Sequence, residues 1–297
     1  MWYNWLGANF APSIITYSLS FIVLLTGSIT DLKTREVPDW VNYGLIISGV
    51  GLNLLFTAVY SNPSFIINSI IGLAVFFGIA YLMFEMGQWG GGDSKMLMGL
   101  GAIIGLDVSA LPKQFLLGFF INAMFAGAVY GLLWSIFLAF RNRKKFKKEF
   151  RSVLSSKNTV FSKKLIIAAV ILLAVLAFFI EAKFRILFLL MMLLIIITFY
   201  LSVSIKAIEK SSMYKLVGPA KLTEGDWIVN DIFVNGKYIT GPKELGISKS
   251  QIRKLITFYK KRKIKKILIK EGIPFVPSFL IAFVMTFLIG NPLMWLL

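Results

Sequence analysis

The chain has 297 residues, 57% of them hydrophobic and 15% charged, with a mean hydropathy of +0.77. A soluble globule carries about 25% charged residues, so this composition points to a polytopic membrane protein, and several apolar runs reach the ~18 residues that mark a span. Cysteine and histidine are both absent, which excludes disulfides, thiol nucleophiles, Cys- or His-built zinc sites and every Ser-His arrangement. No Gly-x-x-x-x-Gly-Lys-Ser/Thr phosphate loop occurs either. Hydrolytic chemistry, if any, falls to carboxylates, Lys, Ser, Thr, Tyr or an oxygen-bound metal.

Residues 1 to 30 hold no Lys or Arg, unlike the basic start of a conventional cleaved signal. Ala11 to Thr30 reads as a first span ending at Asp31. The polar stretch Asp31-Leu32-Lys33-Thr34-Arg35-Glu36-Val37-Pro38-Asp39 follows. Trp40 to Tyr60 is a second span, with Trp40 as an interface anchor. After the turn Ser61-Asn62-Pro63-Ser64, Phe65 to Phe84 is a third span.

Next comes Gly90-Gly91-Gly92-Asp93-Ser94-Lys95. Three glycines let the chain turn tightly or approach another backbone. The aspartate behind them stands at the mouth of an apolar segment, where a carboxylate is costly unless paired, solvated or used. Taken alone, the stretch also fits a solvated turn with an acidic helix cap. The fourth apolar run, Met96 to Leu106, is short for a crossing of ~30 Å. Phe115 to Phe140 is a fifth span. Gly101 and Gly105, like Gly127 and Gly131, stand four apart, a spacing that permits ordinary close helix packing.

Residues 141–164 form a basic connector. Leu165 to Ile180 and Ile186 to Val203 are the sixth and seventh spans. Residues 206–272 are polar, with strand-like Trp227 to Val229 and Ile232 to Val234. Asn235-Gly236 is a hairpin turn, and Ser248 with Gln251 is a capping box for a helix to about Arg262. Ile264 to Ile269 can return as a strand. Pro274 to Leu297 makes an eighth span. The expected fold is a membrane, all-α polytopic helix bundle of about eight transmembrane helices with a small α+β insert before the last helix. Its expected divisions are a membrane core at 1–140, the connector at 141–164, a helical pair at 165–205, the insert at 206–272 and a final helix at 273–297.

The net charge of +18 is unevenly spread. With the Asp31 loop on one side of the membrane, that side collects 29 of the 32 basic residues and the other only Lys113, Lys183 and Arg185. The positive-inside bias makes the basic side cytoplasmic and places both termini outside. Such a face fits a bilayer with anionic headgroups as partner, and not nucleic acid.

Asp31 ends the first span and Asp93 opens the fourth, so both lie at the same membrane depth on different helices. Two carboxylates that meet can share a proton. One then acts as base on water while the other donates to a carbonyl oxygen. Glu36 and Asp39 lie in the loop, solvated or facing substrate. Glu85 is an interface residue or a neighbour of the pair, Asp107 is a far-side loop residue, and Glu224 and Asp226 serve turns and solubility.

The pattern Asp31-x-x-x-Arg35-x-Val37-Pro38-Asp39, followed in order by Gly90-Gly91-Gly92-Asp93-Ser94-Lys95, resembles the prepilin peptidase family of membrane aspartyl proteases. The resemblance covers about residues 12 to 140. It implies that Asp31 and Asp93 are the catalytic pair. Gly90, Gly91, Gly92, Lys95, Arg35 and Pro38 would then bind substrate or shape the site, with no metal and no cofactor. Lys270-Glu271-Gly272-Ile273-Pro274-Phe275-Val276-Pro277 resembles a segment near the C-terminus of archaeal members. Bacterial members usually carry a cysteine-rich zinc region and N-methylate the new terminus. This chain has no cysteine and is similar instead to archaeal prepilin and preflagellin peptidases, which cleave without methylating. The presenilin-like branch is a poorer match, since Thr30 precedes Asp31 and no Pro-Ala-Leu occurs. The implied substrates are prepilin-like or preflagellin-like proteins with a short basic leader. The rival reading is a transporter or channel in which Asp31, Glu85 and Asp93 form a cation or proton path; no inverted repeat is visible, and the acids gather at one face.

Overall fold

The computed structural model describes residues 10–295. Both chain termini, expected outside the membrane, fall beyond that range. Helix α1 is Phe10–Thr34, α2 Asp39–Tyr60, α3 Ser64–Glu85, α4 Gly91–Ile104 and α5 Phe115–Arg141. There follow α6 Arg143–Leu154, α7 Lys157–Phe179, α8 Ala182–Ile208, α9 Lys249–Lys260 and α10 Val276–Ile289. Among the described residues, seven stretches of helix are long and apolar enough to cross a membrane. They account for all the expected spans but the fourth. That segment, α4, has 14 residues, about 21 Å at 1.5 Å per residue, which is too short to cross alone.

The reason α4 can be short is its position. It runs up the middle of the bundle, where Met96, Leu97, Leu100, Ala102 and Ile103 are wholly buried. Its neighbours α1, α2, α3, α5 and α10 supply Leu24, Leu45, Phe76, Phe119 and Phe279 to the same core. Beyond Ile104 the chain is tied back to α3 by the Leu106 N–H donating to the Asn68 carbonyl at 2.8 Å. A 3-10 turn, Val108–Lys113, then leads into α5.

Small residues set how closely α4 is held. A Cβ placed at Gly72 on α3 would stand 2.3 Å from the Gly101 carbonyl oxygen, and one at Gly101 would stand 2.5 Å from that of Gly72. The two backbones are therefore in direct contact, a crossing that only glycine permits. Buried polar groups add to the grip: Asn53 Nδ2 donates to the carbonyls of Ala102 and Ile103, and Ser69 Oγ to that of Ala102 at 2.6 Å. These bonds are strengthened by the apolar surroundings, where the alternative is an unpaired group.

Outside this core, α7 and α8 form a hairpin with largely exposed apolar surface, as lipid-facing spans require. The basic connector is not a loop. It folds as α6, and α7 begins at Lys157, eight residues before the apolar run. The period of Phe150, Val153 and Leu154 sets one face of α6 against Phe199 and Val203 of α8, leaving its lysines outward. The expected seventh span is likewise longer and continues into a π-turn, Glu209–Met213.

The insert is a small α+β unit. Strands β1 Tyr214–Val217, β2 Trp227–Ile228 and β5 Ile267–Lys270 form an antiparallel sheet in the order β1-β5-β2. Strands β3 Ile232–Val234 and β4 Lys237–Thr240 form the expected hairpin. Asn235 and Gly236 both have positive φ, 52° and 73°, as a type I′ turn demands. Ser248 and Gln251 make the expected capping box on α9, with the Ser248 N–H donating to Gln251 Oε1 at 2.8 Å. Leu222, Ile228, Ile247, Ile252, Leu255, Ile267 and Ile269 give the unit its own core.

The glycine crossing makes a sharp prediction. Gly101→Ala should destabilise the bundle by about 1–3 kcal/mol through overpacking. Gly78→Ala on α3, where a Cβ meets nothing within 4 Å, should be neutral or slightly stabilising. Thermal unfolding of both variants in detergent checks this; equal midpoints would refute the backbone contact.

Candidate active site

Asp31 lies in the last turn of α1, not beyond it. The helix continues to Thr34, so the side chain of Asp31 follows Gly27 one turn on and points inward. It is only 5% exposed. Its partner comes from the far end of the sequence. The Val276 N–H, at the first position of α10, donates to Asp31 Oδ2 at 3.0 Å. The free N–H groups and positive dipole end of a helix are suited to holding a carboxylate. Pro274 and Pro277 bracket that start; Pro277, inside the first turn, gives up no bond the helix would have used.

Asp93 occupies the third position of α4. Its Oδ2 accepts from the Gly90 N–H at 3.0 Å, so the carboxylate caps its own helix. It also lies close enough to Asp31 for their charges to repel. The two sequence motifs are therefore brought together by the packing of α1 on α4.

The three glycines act differently from expectation. Gly91 and Gly92 are already helical, and Gly90 is extended with φ −73° and ψ 164°. Positive φ falls at Gly87 instead. No backbone crowds Gly90 or Gly91, and a Cβ at Gly92 would make ordinary contact with Val37. What the glycines provide here is an absence of side chains around Asp93.

The remaining predicted residues surround the pair unequally. Pro38 precedes α2, and its carbonyl accepts from the Val41 N–H at 3.0 Å. Val37, beside it, is buried against Gly92, which docks the first motif on the second. Lys95 turns away from the pair and binds Asp39 at 2.6 Å, with Tyr43 beneath its ammonium at 5.1 Å. Arg35 has φ 64°, uncommon for a residue with a side chain. Its guanidinium lies 5.1 Å over the Trp134 ring of α5, and Nη1 reaches the Gly272 carbonyl at 3.4 Å. Glu85 is exposed at the end of α3 and is not drawn to the pair. Asp107 caps the 3-10 turn at the opposite end, accepting from the Ser109 N–H at 2.9 Å.

The insert touches the same region. Burial raises the pKa of Asp226, the nearby charges of Glu36 and Glu271 add to the rise, and the hydrogen bond from Thr223 opposes it. Asp226 Oδ2 accepts the Thr223 N–H at 2.9 Å, the turn role expected of it. Glu36 belongs to the loop after Asp31, so the insert and that loop are neighbours. Residues 270–276 then pass directly from β5 of the insert to the donor on Asp31.

Sequence reasoning missed three side chains and one backbone donor here: Asn42, Tyr130, Trp134 and the N–H of Val276. Asn42, Tyr130 and Trp134 are unremarked among apolar neighbours in spans. Val276 lies in the Lys270 to Pro277 segment singled out above, whose Pro-x-x-Pro spacing marks a helix start, but nothing local points to Asp31 as the partner of its N–H.

The fold and this site define a multi-pass membrane protein with two carboxylates near one another at one end of its helices. Residues 18–132, which hold both motifs, match the Type IV leader peptidase family. The chain is 33% identical over 139 residues to a preflagellin peptidase of Methanococcus voltae, across 43% of this chain and 58% of the relative. It is 40% identical over 91 residues to one of Methanocaldococcus jannaschii, across 31% and 38%. A prepilin peptidase, EppA, of Methanothermobacter thermautotrophicus is 25% identical over 165 residues, across 50% and 43%. The resemblance to archaeal-type prepilin and preflagellin peptidases that the motifs carry is borne out. The chain spans about half the length of the curated relatives it matches.

The Lys95–Asp39 ion pair also links the two motif segments, yet Asp39 is largely exposed. Exposed pairs contribute about 0.2–1 kcal/mol. A double-mutant cycle of Asp39→Asn and Lys95→Gln, read by thermal unfolding in detergent, should give a coupling in that range that shrinks with salt. A coupling several times larger would mean that the pair, and not the Val37–Gly92 contact, holds the motifs together.

Proposed function

We propose that this chain is a membrane aspartic endopeptidase. In this reading it removes the short basic leader of prepilin-like or preflagellin-like proteins at the cytoplasmic face, without N-methylation. The observation that carries the reading is the meeting of Asp31 and Asp93, one from each motif, within charge–charge range. The likeness to preflagellin peptidases supports the substrate class. The transporter reading needs Glu85 in line with the pair, and Glu85 stands exposed at a helix end.

The proposed chemistry has a singly protonated pair. One carboxylate takes a proton from water as the water oxygen attacks the scissile carbonyl carbon, and the other donates its proton to the carbonyl oxygen. The resulting diol collapses with proton transfer to the leaving nitrogen. Val276 and Gly90 each hold one of the two carboxylates through a backbone donor. The bare approach over Gly90 to Gly92 leaves room for an extended substrate backbone.

Purified enzyme with a prepilin-like or preflagellin-like substrate tests the reading. Asp31→Asn and Asp93→Asn should each abolish measurable cleavage, and the double variant should be no worse, because the pair acts as a unit. Asp39→Asn, Asp107→Asn and Asp226→Asn should remain active. The pH–rate profile should fall on both sides of an optimum and be unaffected by EDTA. Appreciable turnover by Asp93→Asn would rule out the two-aspartate mechanism, and a rate lost to chelator and restored by metal would replace it with a cation site.

The orientation rests on the 29 basic residues of the Asp31 side. The cysteine-free chain makes labelling clean. Single cysteines at Ser155 and Ser248 should be protected from an impermeant thiol reagent in intact cells and react after lysis. Labelling in intact cells would invert the topology.

A further inference from the structure

Among the described residues, three buried side-chain polar atoms have no hydrogen-bond partner: Asn42 Oδ1 and Nδ2, and the hydroxyl of Tyr130. Buried polar groups are nearly always paired, so each orphan calls for an explanation. Asn42 faces α4 between two contacts, Val37 against Gly92 and Leu45 against Gly99, about one turn inward from Asp93. The Tyr130 hydroxyl is near enough to Asp31 and Arg35 to feel both charges. All three orphan atoms thus belong to the end of the bundle that holds the aspartates.

The wall around Tyr130 is also incomplete. Gly127, Gly131, Trp134 and Leu138 fall along one stripe of α5 at helical spacing. At the inner end of the stripe a Cβ on Gly127 would collide with the Phe275 ring at 2.5 Å, so α10 packs tightly there. At the outer end the Leu138 carbonyl accepts from Ser212 of the π-turn at 3.4 Å. Between them a Cβ on Gly131 would meet nothing within 4 Å. Tyr130 stacks on Trp134 with ring centroids 5.8 Å apart and planes 29° apart, and Arg35 covers Trp134. These two contacts stand 11 residues, about 16 Å, apart along α5, and the open point between them is Gly131. The gap there has an aromatic floor, an unused hydroxyl and Asp31 alongside.

We propose that this slot on α5 receives the extended backbone of the substrate, and that the Tyr130 hydroxyl donates a hydrogen bond to it beside Asp31. The inference rests on the endopeptidase reading and adds to it a substrate-contacting residue and an entry path. An extended peptide carries unpaired carbonyls and N–H groups that must find partners once it leaves water. Tyr130 supplies a hydroxyl that has no partner within the described residues. Arg35 over the face of Trp134 and Tyr130 stacked on it fix that ring, which leaves its free edge to line the peptide without selecting one side chain.

Two variants and one control test the proposal, each assayed for kcat and KM on a prepilin-like or preflagellin-like substrate beside wild type and Asp31→Asn. Tyr130→Phe keeps the ring and removes only the hydroxyl. Its kcat should fall about 10–100-fold, at the lower end of what a lost transition-state donor costs, with thermal stability unchanged. Gly131→Leu fills the slot without meeting the surrounding structure, and its KM should rise about tenfold or more. Gly78→Leu on α3, also in open space, should change neither. If wild type cleaves and Asp31→Asn does not, while Tyr130→Phe and Gly131→Leu match wild type, the slot is refuted and the aspartate pair stands. If wild type cleaves neither substrate class, the endopeptidase reading fails and the slot proposal falls with it.

Discussion

The rest of the site depends on one hydrogen bond, from the Val276 N–H to the buried Asp31 carboxylate. Removing a carboxylate from water costs several kcal/mol, and a hydrogen bond to a charged group returns about 1.5–3 kcal/mol. That bond alone does not balance the cost. The first turn of α10 adds its dipole, and Arg35, four residues on, adds a cation. These contributions come from opposite ends of the chain. The bundle must therefore close around α1 and α10 before Asp31 can be tolerated where it is. The phenylalanine cluster between those helices is the means of closure: Phe115, Phe279 and Phe283 are almost fully buried, and Tyr17 of α1 packs against Phe115 and Phe283.

The second requirement is that Asp93 arrive at the same depth, and α4 meets it by being short and central. A span-length helix would enter the bilayer from its surface and be set by lipid thickness. A 14-residue helix enclosed by five others is set by packing, and the Gly72–Gly101 contact fixes it along its axis. Small residues in the wall of a membrane bundle usually signify close approach and no more. Here close approach has a consequence for the site, because sliding α4 by one residue would move Asp93 by about 1.5 Å.

Much of this was legible in the sequence, for reasons that differ by element. The spans announce themselves by length and hydropathy, and the hairpin at Asn235-Gly236 and the cap at Ser248 by local turn chemistry. Asp31 and Asp93 stood out because charge is rare at apolar boundaries. The sequence reading failed where structure arises from contact between distant segments. Strand β1 pairs antiparallel with the distant β5, Tyr214 opposite Lys270 and Val217 opposite Ile267, and no local signal pairs them. Tyr130 and Trp134 look like ordinary aromatic residues of a span until the gap at Gly131 is seen. Three glycines in a row permit a tight turn or a close backbone approach, but the sequence does not show that Gly90 to Gly92 adopt conformations open to any residue.

The insert gains meaning from its exit. Strand β5 ends at Lys270, whose ammonium bonds Glu209 of the π-turn at 2.5 Å, and Lys215 of β1 binds Glu271 at 2.6 Å. The next residues contribute the Gly272 carbonyl to Arg35 and the Val276 N–H to Asp31. Only five residues separate the end of β5 from that donor, too few for the connection to act as a slack tether. A displacement of the insert is therefore transmitted to the start of α10, and from there to the carboxylate. On the proposed reading, a substrate that settles between the insert and the Arg35 loop touches both supports of Asp31 at once. The same short connection that holds the carboxylate in place thus couples it to whatever occupies the basic face.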